Sequence, residues 1–105
     1  MSNLRRYEAL LPLKFNNGEP VPWALIGETL LEMRSRFGAV SFETQIIQGI
    51  WQQEGAEYRD ELGRVFVDVE DLPEHRQFLR DYKERLKTRF RQLEIWMTTY
   101  PLESI

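Results

Sequence analysis

The stretch that most constrains this chain is residues 40–70, VSFETQIIQGIWQQEGAEYRDELGRVFVDVE. Val40, Phe42, Thr44 and Ile46 alternate with Ser41, Glu43, Gln45 and Ile47. After a break, Val65, Val67 and Val69 alternate with Arg64, Phe66 and Asp68. A period of two is the mark of a strand whose two faces meet different surroundings. Between the runs stands Glu54-Gly55, a pair suited to a two-residue hairpin turn that needs positive φ. The stretch therefore predicts two long antiparallel strands. Each arm of roughly 12–14 residues would be about 40 Å long at 3.3 Å per residue, about twice the usual strand. The distal part, Gln48 to Gly63, is expected to project beyond the rest of the fold. Gly49 and Gly63 are candidate bulges, and the adjacent Ile46-Ile47 pair predicts a slip in the facing pattern.

The flanks supply a strand and a helix on either side. Residues 5–15 read as a strand with Tyr7, Ala9, Leu11, Leu13 and Phe15 on one face and Arg6, Glu8, Leu10, Pro12 and Lys14 on the other. Pro12 cannot donate to a ladder and marks a bulge or an end. Asn16-Asn17-Gly18 is turn chemistry. A helix over 22–37 follows, with Pro22 in its first turn. Its stripe is Trp23, Ile26, Leu30, Met33 and Phe37, and Gly38 is placed for a left-handed cap. A second helix over 73–91 starts at Asp71-Leu72-Pro73-Glu74, with Asp71 as the cap. Its stripe is Phe78, Leu79, Tyr82, Leu86, Phe90 and Leu93, and Arg80, Lys83, Glu84, Arg85, Lys87 and Arg89 include its solvated face. Glu94 to Ser104 alternates as a last strand, and Pro101 restricts it to an edge or marks its end.

The order is βαββαβ, expected as one α+β domain over residues 1–105. It resembles the ferredoxin-like superfold: a four-stranded antiparallel sheet with two helices on one face and, here, a long hairpin. That superfold hosts many unrelated functions, so function has to be argued from particular residues.

The helices need the most apolar sheet face, assigned to Ala9, Leu11, Leu13, Val65, Val67, Val69, Ile95 and Met97. The opposite face then carries Glu8, Leu10, Glu43, Gln45, Ile47, Arg64, Phe66, Asp68, Trp96, Thr98 and Tyr100, with Trp51 further out on the arm. Aromatic side chains cover about 150–250 Å² each, and monomers seldom leave several of them exposed together. Glu43, Ile47, Trp51, Phe66, Trp96 and Tyr100 are accordingly the ligand or interface candidates. One occupant is a second copy, since two-fold homodimers predominate among oligomers. Another is a small molecule at the face or between subunits. Single-stranded nucleic acid is disfavoured, because the aromatic-basic motif of sheet-platform binders is missing, Glu8 stands where a stacking residue would be wanted, Asp68 adds like charge to phosphate, and the net charge is −3.

For chemistry, Glu8, Arg64 and Asp68 are expected to meet on the central strands. A carboxylate set among aromatics could act as a general base, and Arg64 could clamp an anion. The plainer alternative is a cross-strand ion pair. His75, the single histidine, is expected as an exposed helical residue, and no paired-His spacing suggests a metal. The acidic clusters Asp60-Glu61 and Asp68–Asp71 lack the spacing of a calcium loop. There is no cysteine, and no phosphate loop, catalytic triad or dinucleotide fingerprint, so no metal or cofactor is expected. The first residues do not read as a signal peptide and no apolar run is long enough for a bilayer, which predicts a cytoplasmic protein without membrane contact. The reading is a small homodimeric module that binds a partner protein or small ligand through its aromatic open face. The alternative is a cofactor-independent small-molecule enzyme with its site in a dimer cavity.

Overall fold

A computed structural model describes residues 3–105. The elements are β1 (Leu4–Pro12), α1 (Trp23–Phe37), β2 (Ser41–Gln53), β3 (Ala56–Glu70), α2 (Pro73–Arg89) and β4 (Met97–Leu102). The strands form one antiparallel sheet in the order β2-β3-β1-β4, the ferredoxin-like arrangement expected from the element order.

The core lies between this sheet and the helices. Tyr7, Ala9 and Leu11 from β1 and Val65, Val67 and Val69 from β3 are buried against Ile26, Met33, Leu79, Tyr82, Leu86 and Phe90. The period of two in the strands thus selects one face, and the helical stripes cover it. Gly38 adopts the left-handed conformation that ends α1, and its N–H returns to the Arg34 carbonyl.

Several boundaries and faces differ from the sequence reading, each for a local reason. β1 stops at Pro12, although the Leu13 N–H still reaches the Glu61 carbonyl at 2.9 Å. β4 starts only at Met97, because the Ile95 N–H is taken by the Glu94 side chain at 2.9 Å. Trp23 is 71% exposed: the buried stripe of α1 runs through Ile26, Thr29 and Met33, and Trp23 lies beyond its edge. Leu93 is 94% exposed, because α2 has ended at Arg89 and Arg91, at φ 55°, turns the chain away. Asp71 does not cap α2. Leu72 holds the cap position without a side-chain hydrogen bond, while Arg5 holds the Asp71 carboxylate at 3.1 Å.

The hairpin turns through Glu54 (φ 51°) and Gly55 (φ 81°), the two successive positive-φ residues that match the twist of flanking strands. Pairing then runs regularly from Gln53↔Ala56 to Ile47↔Leu62. Gly49 sits opposite Asp60 in this unbroken ladder and marks no bulge. The irregularity lies between Glu43 and Ile47, where Thr44, Gln45 and Ile46 face only Gly63, beside the Ile46-Ile47 slip predicted above. A side chain at Gly63 would displace the Phe42 ring, since a Cβ would stand 2.8 Å from it. The arm beyond this point has the whole of Ala56–Asp60 exposed.

Candidate functional site

The sheet register fixes which side chains share the open face. Glu8 pairs with Phe66 and Thr98, Arg6 with Asp68 and Tyr100, and Leu10 with Arg64. Neighbours two residues apart on adjacent strands meet diagonally. Glu8 accepts a hydrogen bond from the Tyr100 hydroxyl at 2.7 Å and lies 3.5 Å from Arg64 Nε. Arg64 Nη1 donates to Glu43 at 3.0 Å. Glu8, Arg64, Glu43 and Tyr100 therefore form one cluster. Glu8 does not stand bare among aromatics, because both of its oxygens face donors.

Asp68, expected beside Glu8 and Arg64, is engaged elsewhere. Arg6 grips it with two hydrogen bonds, at 2.7 and 2.9 Å. The hydrogen bonds that Arg6 donates to Asp68 push its guanidinium further above its ordinary range, against an opposing effect of burial. The same guanidinium lies 4.3 Å over the Phe66 ring, so Phe66 is a covered ring rather than a free stacking surface. The pairing of Arg6 is not legible in the sequence, because alternation assigns its face but not its partner. Only the β1–β3 register brings Asp68 opposite.

The remaining candidates line the way to the arm. Ile47 is half-buried and paired with Leu62. Trp96 is 67% exposed just before β4, and its carbonyl accepts the Leu10 N–H at 3.0 Å. Trp51 stacks on Tyr58 with ring centroids 4.5 Å apart and donates from Nε1 to Asp60 at 2.8 Å. Because β1 ends at Pro12 while β3 continues outward to Ala56, a notch of about 890 Å³ opens beside the arm. Leu10, Leu62, Tyr58 and Trp51 meet it from the sheet, and Phe15 and Trp96 from the connecting segments.

A second polar cluster joins the helices. Arg89, read from the sequence as part of a solvated face, has only 10% of its side chain exposed. It donates to the buried Thr29 hydroxyl at 2.9 Å and pairs with Glu32, which also contacts Arg85. Burial alone would raise the Glu32 carboxyl, but hydrogen bonds and charge from Arg89 and Arg85 hold it below the usual carboxylate range. Burial also pushes the Tyr82 hydroxyl up. Every group here has a partner within the fold, so the cluster braces α1 on α2. His75 is half-buried, not exposed, with its ring edge-on to Phe37 at 5.3 Å. Among the described residues no three His, Cys, Asp or Glu side chains converge as a metal cage, and no helix is long and apolar enough to cross a membrane.

No protein-family model matches the chain, and no curated protein matches it in sequence. Solved structures do match. A phage SAM lyase in complex with S-methyl-5′-thioadenosine superposes with a TM-score of 0.68 at 11% identity, over 98% of this chain and 91% of that one. CutA from Synechococcus elongatus gives 0.62 at 10% identity, over 97% and 79%. The divalent ion tolerance protein CutA1 from Ehrlichia chaffeensis gives 0.65 at 6% identity, over 100% and 86%. At these identities the likeness is one of fold.

Proposed function

We propose that this protein is a cytoplasmic, self-associating module that works as a homodimer and binds a small ligand in the notch beside its arm. The observation that carries this reading is the exposed apolar set around the notch: Ile50, Trp51, Tyr58 and Trp96 are each more than two-fifths exposed. A monomer seldom leaves such a set open, and apolar walls with a few polar groups at the rim are the usual make-up of a ligand pocket. A second copy would fill the outer part of the notch beside Tyr58 and Arg59, and the ligand would take the inner part by Leu10, Phe15 and Trp96. Thermal denaturation with a panel of organic anions and aromatic acids tests the ligand. A bound ligand adds about 2.7 kcal/mol of stability at a hundred times its Kd, so Tm rises with its concentration. A flat response across the panel removes the small ligand and leaves a protein partner.

The cluster of Glu8, Tyr100 and Arg64 supports a second reading, a cofactor-independent small-molecule enzyme with its site in the dimer cavity. A carboxylate beside a hydroxyl donor and a guanidinium could move a proton and hold an anionic group. S-Methyl-5′-thioadenosine, the ligand of the similar phage SAM lyase structure, is the first compound to add to the panel. Under this reading Glu8→Gln abolishes turnover and leaves the stability within about 1 kcal/mol of the parent protein. Unchanged turnover would take Glu8 out of the mechanism.

A further inference from the structure

The free strand edges of this sheet are not alike. β2 carries the irregular stretch between Glu43 and Ile47 at the root of the arm, with a regular edge from Ile47 to Gln53 beyond it, and β4 carries Pro101 on its own edge. Both are devices that blunt edge-to-edge pairing. The distal half of β3 is paired with β2 on one side and open on the other, because β1 stops opposite Leu62. It contains neither proline nor bulge.

Its hydrogen-bonding pattern follows from the turn. In a two-residue hairpin the closing pair, Gln53↔Ala56, exchanges both of its backbone bonds, and the pairs alternate from there. Tyr58 therefore spends its backbone groups on Trp51 of β2, while Glu57 and Arg59 turn their N–H and C=O groups outward. The Glu61 carbonyl, two residues further on, also points outward and accepts the Leu13 N–H.

We propose that this edge pairs with the same edge of a second copy, antiparallel, across a two-fold axis beside Tyr58. This rests on the self-association proposed above and names its contact. One register satisfies the geometry and the charge together. It sets Glu57 opposite Arg59 of the partner subunit, and Arg59 opposite Glu57 of the partner subunit. Each such pair exchanges both outward backbone bonds. Each also brings a carboxylate directly across from a guanidinium, on side chains that are at least half exposed in the single chain. Shifting the register by one residue would set Glu57 against Asp60, a like-charge pair. Tyr58 falls opposite Tyr58 of the partner subunit in a non-hydrogen-bonded pair, where side chains approach most closely. The Trp51–Tyr58 stack then continues across the axis as one row of rings. Pairing ends at Ala56 and Asp60, because the next outward carbonyl is already held by Leu13.

The test uses charge reversal read by light scattering on the full chain. Glu57→Lys and Arg59→Glu each create two like-charge pairs across the axis and are expected to weaken the dimer about tenfold or more. Mixing the two variants restores opposite charges between chains but not within either chain, so recovery of the dimer in the mixture is the expected result. Because the chain has no cysteine, Tyr58→Cys gives a second reading. Opposed residues of this kind stand about 4.5 Å apart at Cα, within disulfide reach. Arg59→Cys would be offset diagonally, about 8 Å from its copy, and should not crosslink. If both charge variants stay dimeric and Tyr58→Cys does not crosslink, the edge pairing is overturned while self-association through the open face stands. A wild-type chain that is monomeric at all concentrations overturns both and leaves the edge to a strand of another protein.

Discussion

β3 is one strand with two environments. From Leu62 to Phe66 it is flanked by β1 and β2, from Val67 to Glu70 by β1, and its valines are buried beneath the helices. From Ala56 to Asp60 it has β2 on one side only, and every residue is exposed. Both halves keep the same backbone alternation, so alternation by itself does not make a core. The inner half alternates valine with polar or covered residues. The outer half, Ala-Glu-Tyr-Arg-Asp, alternates charges with a single aromatic. The inner half is built to be covered by its own chain. The outer half is stable as structure because its hairpin partner satisfies one edge, and its other edge is available to a second chain.

Substitutions that respect this division should separate stability from assembly. The largest contrast is Val65→Asp against Tyr58→Asp. Val65 is fully buried, and a carboxylate there has no partner, at a cost of several kcal/mol. That is a large share of the about 5–15 kcal/mol that holds a domain folded. Circular dichroism should report an unfolded or barely folded chain. Tyr58→Asp should fold normally and lose only the proposed dimer. A folded Val65→Asp variant would break the comparison.

The junction of the two halves comes next. Gly63→Ala places a methyl group against the Phe42 ring, and the overpacking should cost about 1–3 kcal/mol. For a domain of this size that lowers Tm by several degrees per kcal/mol. Gly49→Ala, with its nearest contact at 3.4 Å from Leu62, should change Tm much less. Equal effects would remove the junction from the argument.

The smallest effect sharpens the inner half alone. Glu32 titrates below its ordinary value of 4.5 in the fold, so its ionised form adds stability. That contribution is fully present above about pH 4.5 and fades as pH falls through the lower folded value. Glu32→Gln should cost about 1 kcal/mol at neutral pH, a modest figure because the pair is partly solvated. The difference from the parent should shrink toward zero in acid. A constant difference from pH 7 to pH 3 would show that packing, not charge, is responsible.

The division was partly legible in the sequence. Val65, Val67 and Val69 announced the inner half, and Glu54-Gly55 announced the turn, because these signals are local. Arm length was legible too, since it follows from counting. Faces at element ends were not. Trp23 and Leu93 fit helical stripes on paper, but their exposure depends on where each helix meets the sheet. Polar partners were least legible. Glu8 with Arg64 was foreseen, but the capture of Asp68 by Arg6 and the insertion of Arg89 beside Thr29 are tertiary pairings between residues far apart in sequence. Helical charge patterning pointed to solvent for Arg89 because a single helix shows no buried hydroxyl on its neighbour.

Amide hydrogen exchange along β3, read residue by residue at two protein concentrations, tests the division most directly. The account predicts that Val65 and Val67 are protected at both concentrations, since their bonds lie within one chain. Glu57 and Arg59 should be protected at high concentration and exchange freely on dilution, while Tyr58, bonded to Trp51, changes far less. Fast exchange at Glu57 and Arg59 at every concentration would contradict the claim that a second chain occupies the outer edge of β3.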